Sequence, residues 1–323
     1  GLGPAATCAM LLSLTTYLPP EGALIMLAGI YYGSQYGGST TSILVNVPGE
    51  ASSVVTCLDG FPMARQGEAG VALAIAAIGS FIAGTFGVVI IMFAAPFFAN
   101  IGLRFGPPEY VWLMVFGLTG IASFSGKSLL KGIICVSLGA LIASIGLDPV
   151  SGLQRLTFGW SPLIGGFEVI SLFMGLFGVA EMIDSIEEQR KAVFMGKLGH
   201  WWPRGKELVC GLAATIRGTL VGFIPGLLPG IVPALTSFWA YDLEKRISKT
   251  PERFGKGAIE GVAAPEAANN ATAQAGFIPL ICFGIPTSGT LAIILAALIL
   301  HGLQPGPLLF ERHAHLTWAI IGS

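Results

Sequence analysis

The stretch YGGSTTSILVNVPGEASS, from Tyr36 to Ser53, is a polar and helix-breaking interruption of an apolar chain. It is rich in Gly, Ser and Thr and contains Asn, Pro and one Glu, although the chain as a whole is 53% hydrophobic. Pro and Gly interrupt helices, because Pro lacks a backbone N–H and Gly is conformationally free. A helix broken in an apolar environment leaves unpaired backbone groups, which are tolerated only where they line a cavity or bind a ligand. The stretch therefore predicts a broken helix at a functional site.

The sequence around this stretch indicates a membrane protein. Charged residues make up 11% of the 323 residues, compared with about 25% in a typical soluble domain. Three long runs contain no charged residue, namely Ala69–Leu103, Gly218–Tyr241 and Ala267–Phe310. Because about 20 apolar residues suffice for one membrane-spanning helix, the composition predicts an all-α polytopic membrane protein in a lipid bilayer. No basic stripe interleaved with aromatic residues indicates a nucleic-acid partner.

A second interrupted stretch, GFIPGLLPGIVPA, covers residues Gly222–Ala234. Its three Pro and three Gly exclude one continuous helix. Cations flank it on both sides, and the positive-inside rule places cation-rich flanks in the cytoplasm. We expect a re-entrant hairpin with the Pro/Gly cluster at its tip, while two short ordinary spans are the alternative. The flanking cations are Arg190, Lys191, Lys197, Arg204 and Lys206 before the stretch, and Lys245, Arg246, Lys249, Arg253 and Lys256 after it.

Three pairs of segments recur in the same order, which predicts an internal duplication. GLGPA resembles GIVPA, so that Pro4 pairs with Pro233, and the stretch around Pro48 resembles the stretch around Pro286. EYVWLMVFGL resembles HLTWAIIGS in the same way. We expect two pseudo-symmetric repeats with broken helices, in residues 1–165 and 208–323, joined by a helix and a polar cytoplasmic connection in residues 166–207. The first repeat is expected to be truncated at its N-terminus and the second at its C-terminus.

Three longer motifs then resemble a known family. These are YGSQYGGSTTSILVNVPGEASSVVTCLDGFPMARQGEAG, GLLPGIVPA and PEAANNATAQAGFIPLICFGIPTSG. They are similar to motifs of the large membrane subunit of the tripartite tricarboxylate transporters. The resemblance implies a multi-pass protein of the bacterial inner membrane that imports a di- or tricarboxylate such as citrate, without a cofactor. It also implies coupling to Na⁺ or H⁺, and two partners, a small membrane subunit and a periplasmic solute-binding protein.

The polar residues of two segments, a first around Pro48 and a second around Pro286, are candidates for substrate binding. Hydroxyl and amide groups can donate hydrogen bonds to a carboxylate, and glycines allow the backbone to approach a ligand closely. We expect two facing half-sites, each at the tip of a broken helix. The alternative is that the small residues only pack helices closely. The candidate residues are Gly38, Ser39, Thr40, Thr41 and Asn46 in the first segment, and Asn269, Asn270, Thr272, Gln274, Thr287, Ser288 and Gly289 in the second.

Charged and helix-breaking residues suggest where a coupling cation acts. Glu50 lies beside Pro48 and Gly49, and an ionisable residue within a membrane is a functional candidate. We consider Pro48, Gly49, Glu50 and Pro286 as candidates for cation coupling, while Glu50 could instead reach water at a hairpin tip. Arg217 could pair with a substrate carboxylate, or its side chain could extend to the membrane interface.

The stretch CLDGFPMARQGEAG, Cys57–Gly70, is interpreted as a polar loop, either a gate, a contact for partner subunits or an ordinary solvated connection. Two other functional classes remain open at this stage, an intramembrane enzyme and a non-transporting channel or assembly subunit. For a transporter, either an elevator-like or a rocking movement would give alternating access.

Overall fold

The structure, a computed structural model, describes residues 3–123, 128–148, 152–180, 183 and 199–322. Helices dominate these residues, which confirms the prediction of an all-α protein. In chain order they are α1 Pro4–Thr15, α2 Pro20–Val45, α3 Val54–Arg65, α4 Ala69–Gly102, α5 Pro107–Ser123, α6 Leu129–Ala143, α7 Val169–Phe173, α8 Lys206–Gly226, α9 Pro233–Ile247, α10 Glu260–Ala275, α11 Phe277–Phe283, α12 Gly289–Leu300, α13 Leu308–Arg312 and α14 Ala314–Gly322.

Short elements complete the described part of the chain. Strands β1, Gly146–Leu147, and β2, Gln154–Arg155, pair antiparallel with Gly146 opposite Arg155. Three 3₁₀ turns and one π-helical turn connect the longer helices. They are Ala51–Ser53, Ser161–Leu163 and Pro251–Arg253, and Met174–Val179 for the π-helical turn.

Two helices, α4 and α8, are long and apolar enough to cross a membrane. Helix α4 has 34 residues, begins at Ala69 and contains the whole of the first uncharged run except Leu103. Helices α1, α6 and α12 are apolar but have only 10–17 residues. The number of membrane crossings therefore stays a prediction.

Helix α10 lies at the centre of the packing, because every residue from Gly261 to Ala275 is buried. It packs against α8, α4 and α9. The contact with α8 depends on Gly218 and Gly222, which are four residues apart and therefore share one helix face. A Cβ atom on Gly222 would lie 2.7 Å from the Cα atom of Ala268, so the two helix backbones touch directly. Small residues allow such close packing in membrane proteins.

The helix breaks occur where the sequence predicts them. Helix α2 ends at Val45 and α3 begins at Val54, with Pro48 and Gly49 between them. Helices α8 and α9 are separated by residues 227–232, which confirms that Gly222–Ala234 does not form one helix. Helices α11 and α12 are separated by residues 284–288, which include Pro286.

The breaks at Pro48 and Pro286 have matching backbone geometry. Asn46 and Gly284 end their helices in the left-handed conformation, with φ of 57° and 72°. Glu50 and Ser288 each accept hydrogen bonds from the amides of the helix that follows. Each pair is separated by 238 residues in the sequence, as Pro48 and Pro286 are. This correspondence supports the proposed duplication, while the domain boundaries stay predictions, and residues 181–182 and 184–198 of the connection lie outside the described residues.

The interpretation of Cys57–Gly70 as a polar loop is wrong, because α3 continues to Arg65. Asp59 in this helix is fully buried rather than solvated. Its Oδ1 atom accepts hydrogen bonds from the backbone N–H groups of Gly257 and Ala258, both at 2.7 Å, and of Gly255 at 2.9 Å. Tyr241 donates to Oδ2 at 2.9 Å. Successive amides of this kind form an anion-binding nest, which compensates the buried charge.

Substitution of Gly222 by Ala tests the close contact between α8 and α10. We expect the free energy of unfolding to fall by roughly 1–3 kcal/mol, because the added methyl group collides with backbone atoms of Ala268. Gly29→Ala is the matched control, since nothing lies within 4 Å of its Cβ position in α2, and stability should stay equal or rise. Thermal unfolding in detergent measures the stability of both purified variants against the wild type. Equal effects of the two substitutions would contradict the close contact.

Substitution of Asp59 by Asn tests the amide nest. We expect a loss of about 2–3 kcal/mol in the free energy of unfolding, because hydrogen bonds to a charged acceptor become neutral ones and the Asn amide faces the Tyr241 hydroxyl. Asp242→Asn is the control, since Asp242 forms an exposed pair with Arg246 and should change stability by less than about 1 kcal/mol. An Asp59 variant as stable as the control would show that the nest contributes nothing.

Candidate functional site

A cavity of about 300 Å³ lies where the helix breaks meet. Its walls come from α1, α2, the break after Pro48, the π-helical turn, and the first residues of α9 and α12. The lining residues are Pro4, Ala5, Tyr31, Gln35, Glu50, Ala51, Ser52, Phe177, Val232, Pro233, Ala234, Ser288, Gly289 and Thr290. Both segments that the sequence predicts as half-sites therefore contribute to one cavity.

Four helical segments begin at this cavity. Helix α1 begins at Pro4, the 3₁₀ turn before α3 at Ala51, α9 at Pro233 and α12 at Gly289. The first N–H groups of a helix have no partner within the helix and carry partial positive charge. The starts of α1, α9 and α12 direct partial positive charge toward the cavity, which favours an anion there, whereas the amides of the 3₁₀ turn already donate to Glu50.

Glu50 organises the first break. Its Oε2 atom accepts hydrogen bonds from Ser52 N at 2.8 Å, Ser53 N at 3.2 Å and the Ser52 hydroxyl at 2.8 Å. The Ser53 hydroxyl in turn accepts from the N–H of Glu50, which completes a capping box. The other carboxylate oxygen of Glu50, Oε1, is buried and has no hydrogen-bond partner among the described residues. The carboxylate therefore has one acceptor atom that is not used by the cap.

Two glycines hold this break against α2. A Cβ atom on Gly49 would collide with the Cα atom of Gly38, and one on Gly38 would lie 2.9 Å from Glu50 Oε1. Both positions therefore require glycine because of close backbone approach. The two glycines place the Glu50 carboxylate directly over α2.

A second acid, Glu266, lies behind the break and was missed by the sequence analysis. It is fully buried in α10, and its Oε1 atom accepts hydrogen bonds from the hydroxyls of Ser39 on α2 and Thr56 on α3. Its Oε2 atom has no hydrogen-bond partner in the part of the chain that the structure describes. An acid inside the otherwise uncharged motif around Asn269 is the sequence signal that could have identified it.

Amide side chains connect the two acids. The Ser52 hydroxyl oxygen lies 3.0 Å from Gln35 Oε1 and accepts from Asn269 Nδ2 at 3.4 Å. Asn270 Nδ2 lies 2.7 Å from Asn269 Oδ1 and 2.9 Å from the hydroxyl oxygen of Ser80 on α4. Because Gln35 and Ser52 line the cavity, this network extends from the cavity into α10.

The second break is tied to the segment between α8 and α9. The backbone N–H of Gly230 donates to the carbonyl oxygen of Thr287 at 3.2 Å. The hydroxyl of Ser288 caps α12 by accepting from Leu291 N at 3.3 Å, and Gly289 lines the cavity. Thr287, Ser288 and Gly289 thus lie where the sequence predicts a half-site.

Several predicted site residues lie away from the cavity and contact their own helix or a neighbouring one. The Thr41 hydroxyl donates to Gly38 O at 3.0 Å, and exposed Asn46 ends α2. The Thr272 hydroxyl lies 2.9 Å from Gly222 O, which joins α10 to α8. Thr40 is half-buried and Gln274 is buried, with the Gln274 Cβ and Cγ atoms next to Gly87. None of these residues lines the cavity, nor do Pro48 and Pro286, which lie in the breaks themselves.

Arg217 lies away from the cavity. Its guanidinium donates two hydrogen bonds to Glu244 on α9, at 2.6 and 2.7 Å, in a bidentate pair. Both residues line a different cavity of about 730 Å³, together with Arg253 and Glu260. The structure therefore brings Arg217 to an acidic side chain of the protein rather than to the breaks.

Known proteins with similar sequences identify the family. The model of the tripartite tricarboxylate transporter TctA family matches residues 1–323. An uncharacterized 52.8 kDa protein from the TAR-I ttuC' 3' region of Agrobacterium vitis is 47% identical over 324 residues, covering 100% of this chain and 64% of the relative. An uncharacterized protein from the TAR-II ttuC' 3' region of the same organism is 53% identical over 89 residues, covering 28% of this chain and 37% of the relative.

The chain thus spans less than two thirds of the length of these two relatives. No solved structure matches it. The match to the family model extends over the whole sequence and includes the segments that surround the cavity. The chain belongs to the tripartite tricarboxylate transporter TctA family.

Proposed function

We propose that the chain is the translocating part of the large membrane subunit of a secondary active transporter that imports di- and tricarboxylates, such as citrate. Na⁺ or H⁺ is the proposed coupling ion. The protein would work in the bacterial inner membrane with a small membrane subunit, and a periplasmic solute-binding protein would deliver the substrate. Family membership supports this proposal. The observation that carries it is the cavity surrounded by four helix N-termini.

A carboxylate fits the chemistry of this cavity. Its oxygen atoms can accept hydrogen bonds from N–H groups at the starts of α9 and α12. Tyr31, Gln35 and Ser288 add neutral donors to the same lining. We infer that Ser288 and Gly289 contact the substrate directly, whereas Ser39, Asn269 and Asn270 support the site from behind. The residues around Gly38 and Gly49 set its shape through close backbone contact.

The coupling cation is proposed to act at the first break. Glu50 carries a negative charge beside a cavity that is proposed to receive an anion, and this arrangement is unfavourable unless a cation compensates it. The free Oε1 atom of Glu50 offers an oxygen for that cation. Pro48, Gly49 and Pro286 keep the neighbouring backbone non-helical, so carbonyl oxygens there are also open to a cation.

The paired breaks are also the proposed basis of alternating access. Half-sites contributed by two related segments place a substrate between parts of the protein that can move relative to each other. Either an elevator-like movement or a rocking movement would expose the cavity to one side of the membrane and then to the other. The duplicated, re-entrant arrangement and its domain boundaries are part of this proposal.

Introducing a negative charge at Ala51 tests the anion site. Ala51 lines the cavity at the start of the 3₁₀ turn. We expect Ala51→Asp to weaken carboxylate uptake about tenfold or more, because one like charge in the cavity costs at least about 1.4 kcal/mol of binding energy. Ala51→Asn has nearly the same size without the charge and should retain most uptake. Both variants are tested in proteoliposomes that contain the full-length subunit and its partners. The measurement is the uptake of radiolabelled citrate and other di- and tricarboxylates.

The same assay separates the alternative functions. An accumulated and chemically unaltered solute supports transport, whereas conversion of the solute would indicate an intramembrane enzyme. Equilibration without accumulation would indicate a channel, and no uptake by any component set would indicate an assembly subunit. Equal uptake by the Asp and Asn variants of Ala51 would exclude this cavity as the anion site.

Substitution of Glu50 by Gln tests the proposed cation position. The Gln side chain keeps an oxygen that can accept from the amides of Ser52 and Ser53, so the break should keep its geometry. We expect the dependence of uptake on Na⁺ concentration or on pH to change, with thermal stability preserved. Glu50→Ala is the contrast, because it also removes the cap and should cost about 1 kcal/mol of stability. Unaltered cation dependence in the Gln variant would remove Glu50 from the coupling mechanism.

A further inference from the structure

Glu266 and Asp59 are the two acids without solvent exposure in the described part of the chain, and Glu266 lacks an amide nest of the kind that holds Asp59. Its side chain has no solvent exposure, and it lies at the middle of α10, which is buried on all sides. One oxygen accepts from the hydroxyls of Ser39 and Thr56, and the other oxygen has no described partner. A carboxylate in such a place is costly when ionised, because few donors replace the water that it has lost.

The charged residues around Glu266 do not compensate it. Asp59 on α3 is held by the amide nest, and Arg217 on α8 pairs with Glu244 on α9. Glu50 is the ionisable neighbour of Glu266, and because it is also an acid, its charge repels a negative charge on Glu266 instead of compensating it. The charged residues of the helices packed against α10 are Glu21 on α2, Asp59 and Arg65 on α3, Lys206, Glu207 and Arg217 on α8, and Asp242, Glu244, Lys245 and Arg246 on α9, while α4 and α11 have none.

The two acids of the site differ in their donors. Glu50 accepts from two backbone N–H groups at a helix start, which stabilise the ionised form. Glu266 accepts from the hydroxyls of Ser39 and Thr56, each of which can turn away if the charge disappears, and the side-chain amide of Asn269 lies beside it. Glu50 is therefore held by a backbone cap, whereas the hydroxyl contacts of Glu266 adapt more readily to the gain and loss of a proton.

We propose that Glu266 binds and releases a proton that is coupled to substrate movement, an inference that rests on the proposed transport function. The proton comes from water on one side of the membrane, forms an O–H bond at Oε2, and returns to water on the other side when that bond breaks. No further reactant is required. The cavity offers the route, because Ser52 lines it and contacts Asn269, which lies one helical turn from Glu266.

The position of Glu266 links this proton to the substrate cavity. Ser39 belongs to the helix before the first break and Thr56 to the helix after it, and both donate to the same carboxylate oxygen. Ionised Glu266 therefore holds α2 and α3 together against α10, whereas neutral Glu266 attracts the hydroxyls less. Because Glu50 and Ala51 lie between these two helices, the protonation state affects the shape of the cavity.

Glu266→Gln in the full-length subunit with its partners tests the proposal in proteoliposomes. The Gln side chain has the same shape and stays neutral, so it mimics the protonated state. We expect exchange of internal for external carboxylate to persist, because exchange needs no net proton transfer. Accumulation driven by a pH gradient should be lost. A variant that accumulates substrate in response to the pH gradient as the wild type does would overturn the proposal.

A pair of substitutions at Thr56 provides a second, milder test. Thr56→Val removes one donor to Glu266 without touching the cavity, whereas Thr56→Ser keeps the hydroxyl. Losing a donor to the ionised form favours the bound proton, so the midpoint of the pH profile of uptake should rise by about one pH unit in the Val variant only. Equal midpoints in both variants would contradict the proposal, even if Glu266→Gln did not fold.

The wild-type protein separates a failure of this inference from a failure of the proposed function. Carboxylate accumulation that responds to a Na⁺ gradient and not to a pH gradient would overturn the role of Glu266 while leaving transport in place. Absence of carboxylate transport under any gradient would overturn the proposed function and this inference together.

Discussion

The burial of helix α10 from Gly261 to Ala275 determines how the other helices of the described part of the chain can pack. A helix without a solvated face must satisfy each of its polar side chains within the protein. Its Asn269, its Asn270 and one oxygen of its Glu266 bond to residues from α2, α3, α4 and the first break. Alanine and glycine on the other faces let neighbouring helices approach to backbone contact, as at Gly222. The polar residues of this helix therefore bond to the same neighbouring helices that its small residues allow to pack closely.

This packing places the first break, and the break in turn shapes the cavity. With α2 and α3 both bound to Glu266, the chain between them has little freedom, and Gly38 and Gly49 let it lie flat on α2. The second break is fixed differently, through the bond between Gly230 and Thr287. One wall of the cavity is thus anchored to the central helix, and another to the segment between α8 and α9.

Local signals in the sequence predicted the breaks well, because Pro and Gly act on their own backbone. They also predicted that Glu50, Ser288 and Gly289 lie at the site, since these residues adjoin the breaks. The roles of Asp59, Arg217 and Glu266 depend on tertiary contacts, which local sequence signals do not show. Asp59 looks like a solvated charge until the amides of residues 255–258 enclose it, and Arg217 has its partner 27 residues further along the chain. Glu266 gains its significance from Ser39 and Thr56, which are more than 200 residues away in sequence.

The two breaks have matching backbone conformations but carry different side chains at matching positions. Glu50 and Ser288 are separated by the same 238 residues as the two prolines, and both cap the helix that follows. One cap is an acid and the other a neutral hydroxyl, so the potential differs between the two sides of the cavity. An anion is favoured near the hydroxyl cap and a cation near the acidic cap. Under the proposed function, a duplicated scaffold with one substituted cap receives a carboxylate and its coupling ion side by side, which two identical half-sites would not achieve.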